Sequence, residues 1–368
     1  MNTQRNDDIT MKQLLADIPG HFGYYPEESV VFLSFRHVKN NATVTHTDSE
    51  NTWSICSDNI EPGPIIRLSL ADLDYAHDVG VAVRSIGANI VLAVIITREN
   101  VDKLDELHAK LMHIANDAVS EIVGCWWVPE IKTEAEYQLL FADENFFPDM
   151  EKNSQWYQGK VAFISCSPVM QAIMRKGELP DLTREEAMDY FSHRYSAFSA
   201  DKREQLNKIA VSNGMNLQIQ MFSENISVSE LLTEFEKELL CTDDRTAYNS
   251  ELLVFFAAHF ATSFVRDRII LALLNQPQAA KIILLAVARS FSGEIRANAL
   301  TLFAILVFIY GPHFRGVIAL QQAQLAVPGH ILSKLILKGY QRGMTKELLG
   351  AICRGARESI EDTWPVRD

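Results

Sequence analysis

Ala297–Pro328, ANALTLFAILVFIYGPHFRGVIALQQAQLAVP, is the stretch that decides the fold of the C-terminal half. Large residues (Leu300, Phe303, Val307, Leu320) and small ones (Ala304, Gly316, Ala323) recur at helical spacing on both sides of Gly311-Pro312. That pattern predicts two antiparallel helices that interlock around a sharp turn. Pro328 ends the second, because it lacks a backbone N–H and its ring clashes with a continuing turn.

Working outward toward the C-terminus, everything from Ser227 reads as helix. Ser227-x-x-Glu230 has the form of a capping box, in which the two side chains satisfy two orphan backbone donors. Further helices are expected at roughly 246–262, 264–275, 278–290, 295–310, 313–326, 330–340 and 344–357. Within the central pair, Thr301, Ile305 and Phe308 should share the concave side. Ile305 and Phe308 are apolar, so that groove is expected to be covered, either by a neighbouring helix of the chain or by a partner.

The first half alternates strand and helix patterns, as expected of an α/β or α+β domain with a mixed sheet. Ser29–Phe35 (SVVFLSF) reads as a strand, turning at Asn40-Asn41 into Ala42–Thr47. Ile65–Leu70 (IIRLSL) alternates, predicting one solvated face. Ile90–Thr97 (IVLAVIIT) is continuously apolar, as a central strand covered on both faces should be. Helices are expected over Leu73–Ile86 and Val101–Ala115, a strand over Ser120–Val128, and an edge at Val161–Ser165. From about 143 to 223 the chain is polar and broken by Pro and Gly, with a capped helix starting at Asp181 and running to Ala197. The expected organisation is therefore an α/β domain over 1–220, with a helical, loop-rich extension from about 143, and an all-helical domain over 221–368.

Composition sets bounds on function. The 368 residues are 48% hydrophobic and 22% charged, an ordinary globular balance able to build two cores. The five cysteines are far apart in sequence and odd in number, which argues for reduced, buried thiols over a disulfide scaffold or a zinc site. The N-terminus, MNTQRNDDITMKQ, lacks a secretory apolar core, and the most apolar run, Ala297–Tyr310, is short for a bilayer span. The cytoplasm is the expected compartment, with no membrane partner. Net charge is −13, yet from Arg266 onward there are 13 Lys and Arg against 7 Asp and Glu. Those cations are scattered singly without interleaved aromatics, a pattern of solvated helix faces that gives no expectation of nucleic-acid binding.

Several residues carry candidate chemistry. His21, Tyr25, Glu27 and Glu28 crowd the loop before the first strand, where a carboxylate–histidine pair could move protons; a solvated turn set by Pro26 explains them more simply. Arg67 lies mid-strand and must point outward or find a partner, because an unpaired buried charge is costly. Trp126 and Trp127 must point to opposite faces of their strand, so one belongs to the core and the other could meet a ligand, a partner or a covering helix. His108 and His113 lie about 140° apart around one helix and cannot chelate a metal as an i, i+4 pair would. No phosphate loop, zinc-protease motif, nucleophile elbow or dinucleotide fingerprint occurs. No catalytic, cofactor-binding or metal-ligating residue is assigned, and no cofactor is expected.

Leu14–Phe35, LLADIPGHFGYYPEESVVFLSF, resembles the start of an actinobacterial family catalogued as domain of unknown function 4192. The resemblance lies in Pro19, Gly23-Tyr24 and Pro26-Glu27-Glu28-Ser29, and continues at Gly63-Pro64 with Arg67, at Trp126-Trp127, at Val265-Arg266-Asp267 and at the central helix pair. Ser69 stands where relatives have an Asp, and VPEIKTEAEYQ replaces a Cys- and Pro-rich stretch. The helix pair itself resembles a single tetratricopeptide-like unit, but neither flanking segment repeats it, Arg266 and Lys334 falling where large apolar residues belong. The family implies a fold but no activity. The helix-pair architecture and the lack of catalytic motifs instead give the expectation of an interaction or adaptor protein without catalysis, meeting a protein partner or a second copy of itself, with Glu27, Arg67, Trp126, Trp127, Ile305 and Phe308 as candidate ligand or partner contacts. The alternative is a small-molecule sensor or enzyme using the crevice at the strand ends, near Arg36, Thr97, Arg98 and Val128–Glu130.

Overall fold

A computed structural model describes residues 10–37, 60–75, 87–88, 90–99, 122–143 and 154–361, with single positions between 79 and 111. The chain folds as two compact units, Met1–Arg184 and Glu185–Asp368. The expected Asn40–Thr47 hairpin and the histidines at 108 and 113 lie outside the described residues.

The first unit is built on a six-stranded mixed sheet. Its strands are β1 (Ser29–His37), β2 (Ile60–Ser69), β3 (Ile90–Ile96), β4 (Ile122–Val128), β5 (Glu136–Ala142) and β6 (Gln158–Lys160), in the order β2-β1-β3-β4-β5-β6. Only β3 and β4 run parallel; the other neighbours are antiparallel. Side chains alternate between two apolar layers. Val31, Leu33, Val94, Ile96 and Trp126 face the layer holding Met11, Leu15 and Ile18 of helix α1 (Met11–Phe22). Val30, Phe32, Ala93, Ile95 and Cys125 face the other, with Leu73, Val83, Leu107 and Leu111. Covered on both sides, β3 is buried at every position, which is why its sequence has no polar face. The described positions within 79–83 and 105–111 are helical, but Leu70–Tyr75 is a 3-10 turn.

Two expectations for this unit change. The edge strand β2 has no fully solvated face: residues 63–70 are all half-buried, with Ile65 against one apolar layer and Ile66 and Leu68 against the other. The last edge is β6, which follows the short helix α2 (Ser154–Tyr157), rather than Val161–Ser165, where Ile164–Cys166 is a 3-10 turn leading into the short helix α3 (Pro168–Met174).

The second unit is all helix: α4 (Arg184–Asp189), α5 (Ala200–Phe222), α6 (Val228–Leu240), α7 (Ser250–His259), α8 (Ser263–Asn275), α9 (Pro277–Ser290), α10 (Gly293–Tyr310), α11 (His313–Ala326), α12 (Ile331–Gln341) and α13 (Thr345–Glu361). The unit starts near 185, ahead of the break expected at 220: Phe191 meets Phe303 edge-on with centroids 5.2 Å apart and Arg289 holds the Tyr190 carbonyl, while α5 packs on α7 through Gly214, where an added Cβ would meet the Ala258 carbonyl oxygen at 2.5 Å. The α10–α11 pair forms as its small and large residues require. Gly316 lets Phe308 approach so closely that a Cβ would sit 2.8 Å from the ring. The capping box at Ser227 and Glu230 forms as well, opening α6. Helix α10 is apolar enough to cross a membrane by length and composition, and 78% of it is buried within the fold. The helix expected from Asp181 to Ala197 stops at Asp189 and is followed by a 3-10 turn, His193–Tyr195.

Candidate functional site

Antiparallel pairing places the start of β1 beside the ends of β2 and β3, Ser29 lying opposite Ser69 and Ile96, while the parallel β4 ends alongside. Topology therefore collects Glu27, Glu28, Ser29, Arg67, Thr97, Arg98, Trp127 and Glu130 at one end of the sheet, residues spread over a hundred positions of sequence.

Here polar groups are tied to one another. The Glu28 carboxylate accepts the Thr97 hydroxyl proton, with Oγ1 at 2.9 and 3.0 Å from its two oxygens, and the Arg98 N–H at 3.3 Å. Glu28 holds this position with φ 41°, a left-handed conformation that costs a side-chain-bearing residue of order 1 kcal/mol. Arg67 Nε donates to Ser29 Oγ at 2.7 Å, and the Ser29 hydroxyl donates to the Glu27 carbonyl at 2.5 Å. Trp127 Nε1 donates to the Thr97 carbonyl at 3.0 Å, and Arg98 pairs with Glu130.

Each expected contact residue has a defined place. Glu27 is exposed on the loop, and Arg67 is half-buried and held by Ser29. Trp126 is fully buried, donating to the Trp156 carbonyl at 2.6 Å, while Trp127 on the opposite face is half-buried under the second apolar layer. Tyr25 is half-buried, and burial pushes its phenol up. Arg36 does not join this group: it pairs with Glu61 at 2.6 Å, at the far end of β1.

The groove between α10 and α11 is filled by the chain. Thr301, Ile305 and Phe308 are all buried, and the Phe308 ring stacks on Tyr340 of α12 with centroids 5.3 Å apart. Ile305 and Phe308 are thus core residues in this structure.

A family model described as Domain of unknown function (DUF4192) matches residues 12–347. The chain belongs to this family. No curated protein and no solved structure matches it.

Other features of this DUF4192 protein add to or correct the sequence reading. Asp17 of α1 accepts the hydroxyl proton of Ser167, the N-cap of α3, and burial raises its carboxyl while that bond opposes the rise. Cys125 is buried, and burial pushes its thiol up, but Cys166 and Cys241 are exposed free thiols rather than buried ones. Among the described residues no group of three or more His, Cys, Asp or Glu could hold a metal ion.

The DUF4192 chain also presents an apolar row on the second unit. Met215, Ile219 and Phe222 are 57, 59 and 54% exposed, spaced i, i+4, i+7 along α5. The opposite side of that helix buries Leu206, Ala210 and Gly214. Between Ser212 and Phe222 the helix has no ionisable side chain.

Proposed function

We propose that the protein is a non-enzymatic interaction protein that docks through the outer face of α5. The observation that carries this reading is the Met215–Ile219–Phe222 row, three large apolar side chains each more than half exposed on one helical face, the Phe222 ring resting on Phe264 with centroids 4.5 Å apart. Burying such a row removes apolar surface at about 25 cal/mol per Å².

A second copy of the chain is the occupant the surface suits best. Two chains of net charge −13 repel at a distance, so contact is cheapest where neither presents a charge, and the last three turns of α5 meet that condition. Two α5 helices crossing antiparallel about a two-fold axis set Ile219 against Ile219 and Met215 against Phe222, an isologous arrangement that closes on itself.

Sedimentation equilibrium of the full chain tests this. The expected mass is twice 41.5 kDa, returning to 41.5 kDa with Ile219→Glu. A wild-type chain that stays monomeric at all concentrations overturns self-docking. A dimer that survives Ile219→Glu overturns its placement on α5.

A further inference from the structure

The second unit contains a cleft of about 230 Å³ at the start of α5, walled by the His193–Tyr195 turn and by the α9–α10 junction. Arg203, Asn207 and Lys208 line it from α5, with His193 and Ser292 opposite. Arg203, Asn207 and Lys208 bring donors to it. Arg203 Nη1 reaches the carbonyls of His193 and Phe198, each at 3.3 Å, which pins the guanidinium across the turn. Asn207 Oδ1 accepts the Ser292 N–H at 3.1 Å, so the amide NH₂ is the end left to meet a ligand.

Behind the wall the charge is also positive. Arg296 is buried and donates to the Ala288 carbonyl and to Gln322 Oε1 at 3.3 Å. Arg289 donates to the Tyr190 carbonyl at 2.7 and 3.0 Å. Carbonyls satisfy the hydrogen bonds of these groups without cancelling their charge, and among the described residues none of Arg203, Arg289 and Arg296 is paired with a carboxylate. His193 reports the field: burial first, then the Arg296 and Arg203 charges, push its imidazole below the usual range, although its bond to the Arg289 carbonyl at 2.7 Å acts the other way. The one carboxylate at the rim, Glu204, is held by Lys208 at 2.7 Å, and both side chains are mostly exposed. A positive cleft with low-dielectric walls focuses its field on whatever enters, even in a chain of net charge −13.

We propose that this cleft binds the phosphate or carboxylate group of a small anionic metabolite. Arg203 and the Asn207 amide grip the anion, and Lys208 exchanges Glu204 for it. The volume suits an anionic group with a few further atoms, below the range of drug-sized sites.

Isothermal titration of the full chain with inorganic phosphate and with citrate, at constant ionic strength, tests the site. Saturable binding of at least one of them is expected, weakened about tenfold or more by Arg203→Gln, because a charge-assisted bond is lost. Lys208→Gln weakens binding and Glu204→Gln tightens it, since the latter frees the lysine. Both positions are exposed, so these two variants report even if Arg203→Gln unfolds the unit. Absence of saturable binding to either anion, or affinities unchanged by the Lys208 and Glu204 substitutions, overturns the proposal. An equal loss in Lys338→Gln, on the distant helix α12, would show non-specific screening and overturn it as well.

Discussion

His330 Nε2 lies 2.9 Å from Asn298 Oδ1, and this one oxygen also accepts Arg266 Nη1 at 2.6 Å. The Asn298 amide in turn donates to the Phe260 carbonyl at 2.8 Å. His330 is the N-cap of α12, its Nδ1 accepting the Ser333 N–H at 3.3 Å, so the proton must sit on Nε2. Two helices, α8 and α10, and the ends of two more, α7 and α12, are therefore registered through one buried amide. It is one of the buried polar residues in the segment whose apolar spacing predicts the central helix pair.

Replacing that amide removes the shared acceptor. Arg266 is 7% exposed and, among the described residues, keeps only its neighbour Asp267, at 2.7 Å, as a charged partner. Asn298→Leu preserves volume but leaves a buried guanidinium short of an acceptor and strands the Phe260 carbonyl. The expected loss is ~3 kcal/mol, read as a lower urea midpoint for the transition carrying the helical circular dichroism. A change below a few tenths of a kcal/mol would show that the network is not needed for stability.

Acid should destabilise the helical unit before most carboxylates titrate. His259 is 4% exposed between Phe235 and Phe255, its Nδ1 donating to the Phe255 carbonyl at 2.9 Å, and burial holds its imidazole down at about 4. A base whose folded pKa is depressed stabilises in its neutral form. That contribution is complete above the unfolded value near 6.5 and is lost as pH falls from there toward about 4, amounting to about 3 kcal/mol at the acid end. His330, lowered first by burial and then by Arg266, acts in the same direction. Urea midpoints should therefore fall between pH 7 and pH 4.5, and His259→Phe should flatten that fall. An unchanged slope in the variant would remove His259 from the account.

What was legible in the sequence follows from where the determinants lie. The strands β1 and β3 and the α10–α11 pair are specified by their own apolar spacing, and the Ser227 capping box lies within four residues. The 190–198 segment is different: its carbonyls are taken by guanidinium groups outside it, Tyr190 by Arg289, 99 positions away, and His193 by Arg203, ten positions on in the next helix. No local pattern announces such partners, which is why a long helix was expected there and why the cleft beside it had no sequence signal. The strand-end group was half legible. Arg67 and Glu27 stood out by type, but the Glu28–Thr97 bond spans 69 positions and follows only from the strand order. Likewise β6, three residues long, has no alternation to read.

Glu28 offers a test that separates strain from bonding. Glu28→Ala loses the acceptor for Thr97 and Arg98 but keeps a side chain at φ 41°. Glu28→Gly loses the same bonds and is at ease there. The alanine variant should lose ~2 kcal/mol, and the glycine variant should be about 1 kcal/mol more stable than it, by urea unfolding followed at the tryptophans. The reverse order would mean that the left-handed geometry is not retained in solution.

Two helical glycines should respond oppositely to the same substitution. In an unobstructed helix Gly→Ala stabilises by roughly 0.5–1 kcal/mol, because alanine has less backbone freedom to lose. Gly355 of α13 has nothing within 4 Å of an added Cβ, so Gly355→Ala should raise the melting temperature. At Gly214 the same Cβ would lie 2.5 Å from both the Ala258 carbonyl oxygen and the Ala261 methyl group, backbone and a rigid side chain that cannot swing aside. There the propensity gain is outweighed by overpacking of about 1–3 kcal/mol or more, and α5 must lift from α7. Gly214→Ala should therefore lower the melting temperature and raise amide exchange along α5. A stabilised Gly214→Ala protein would show that the two helices do not meet this closely.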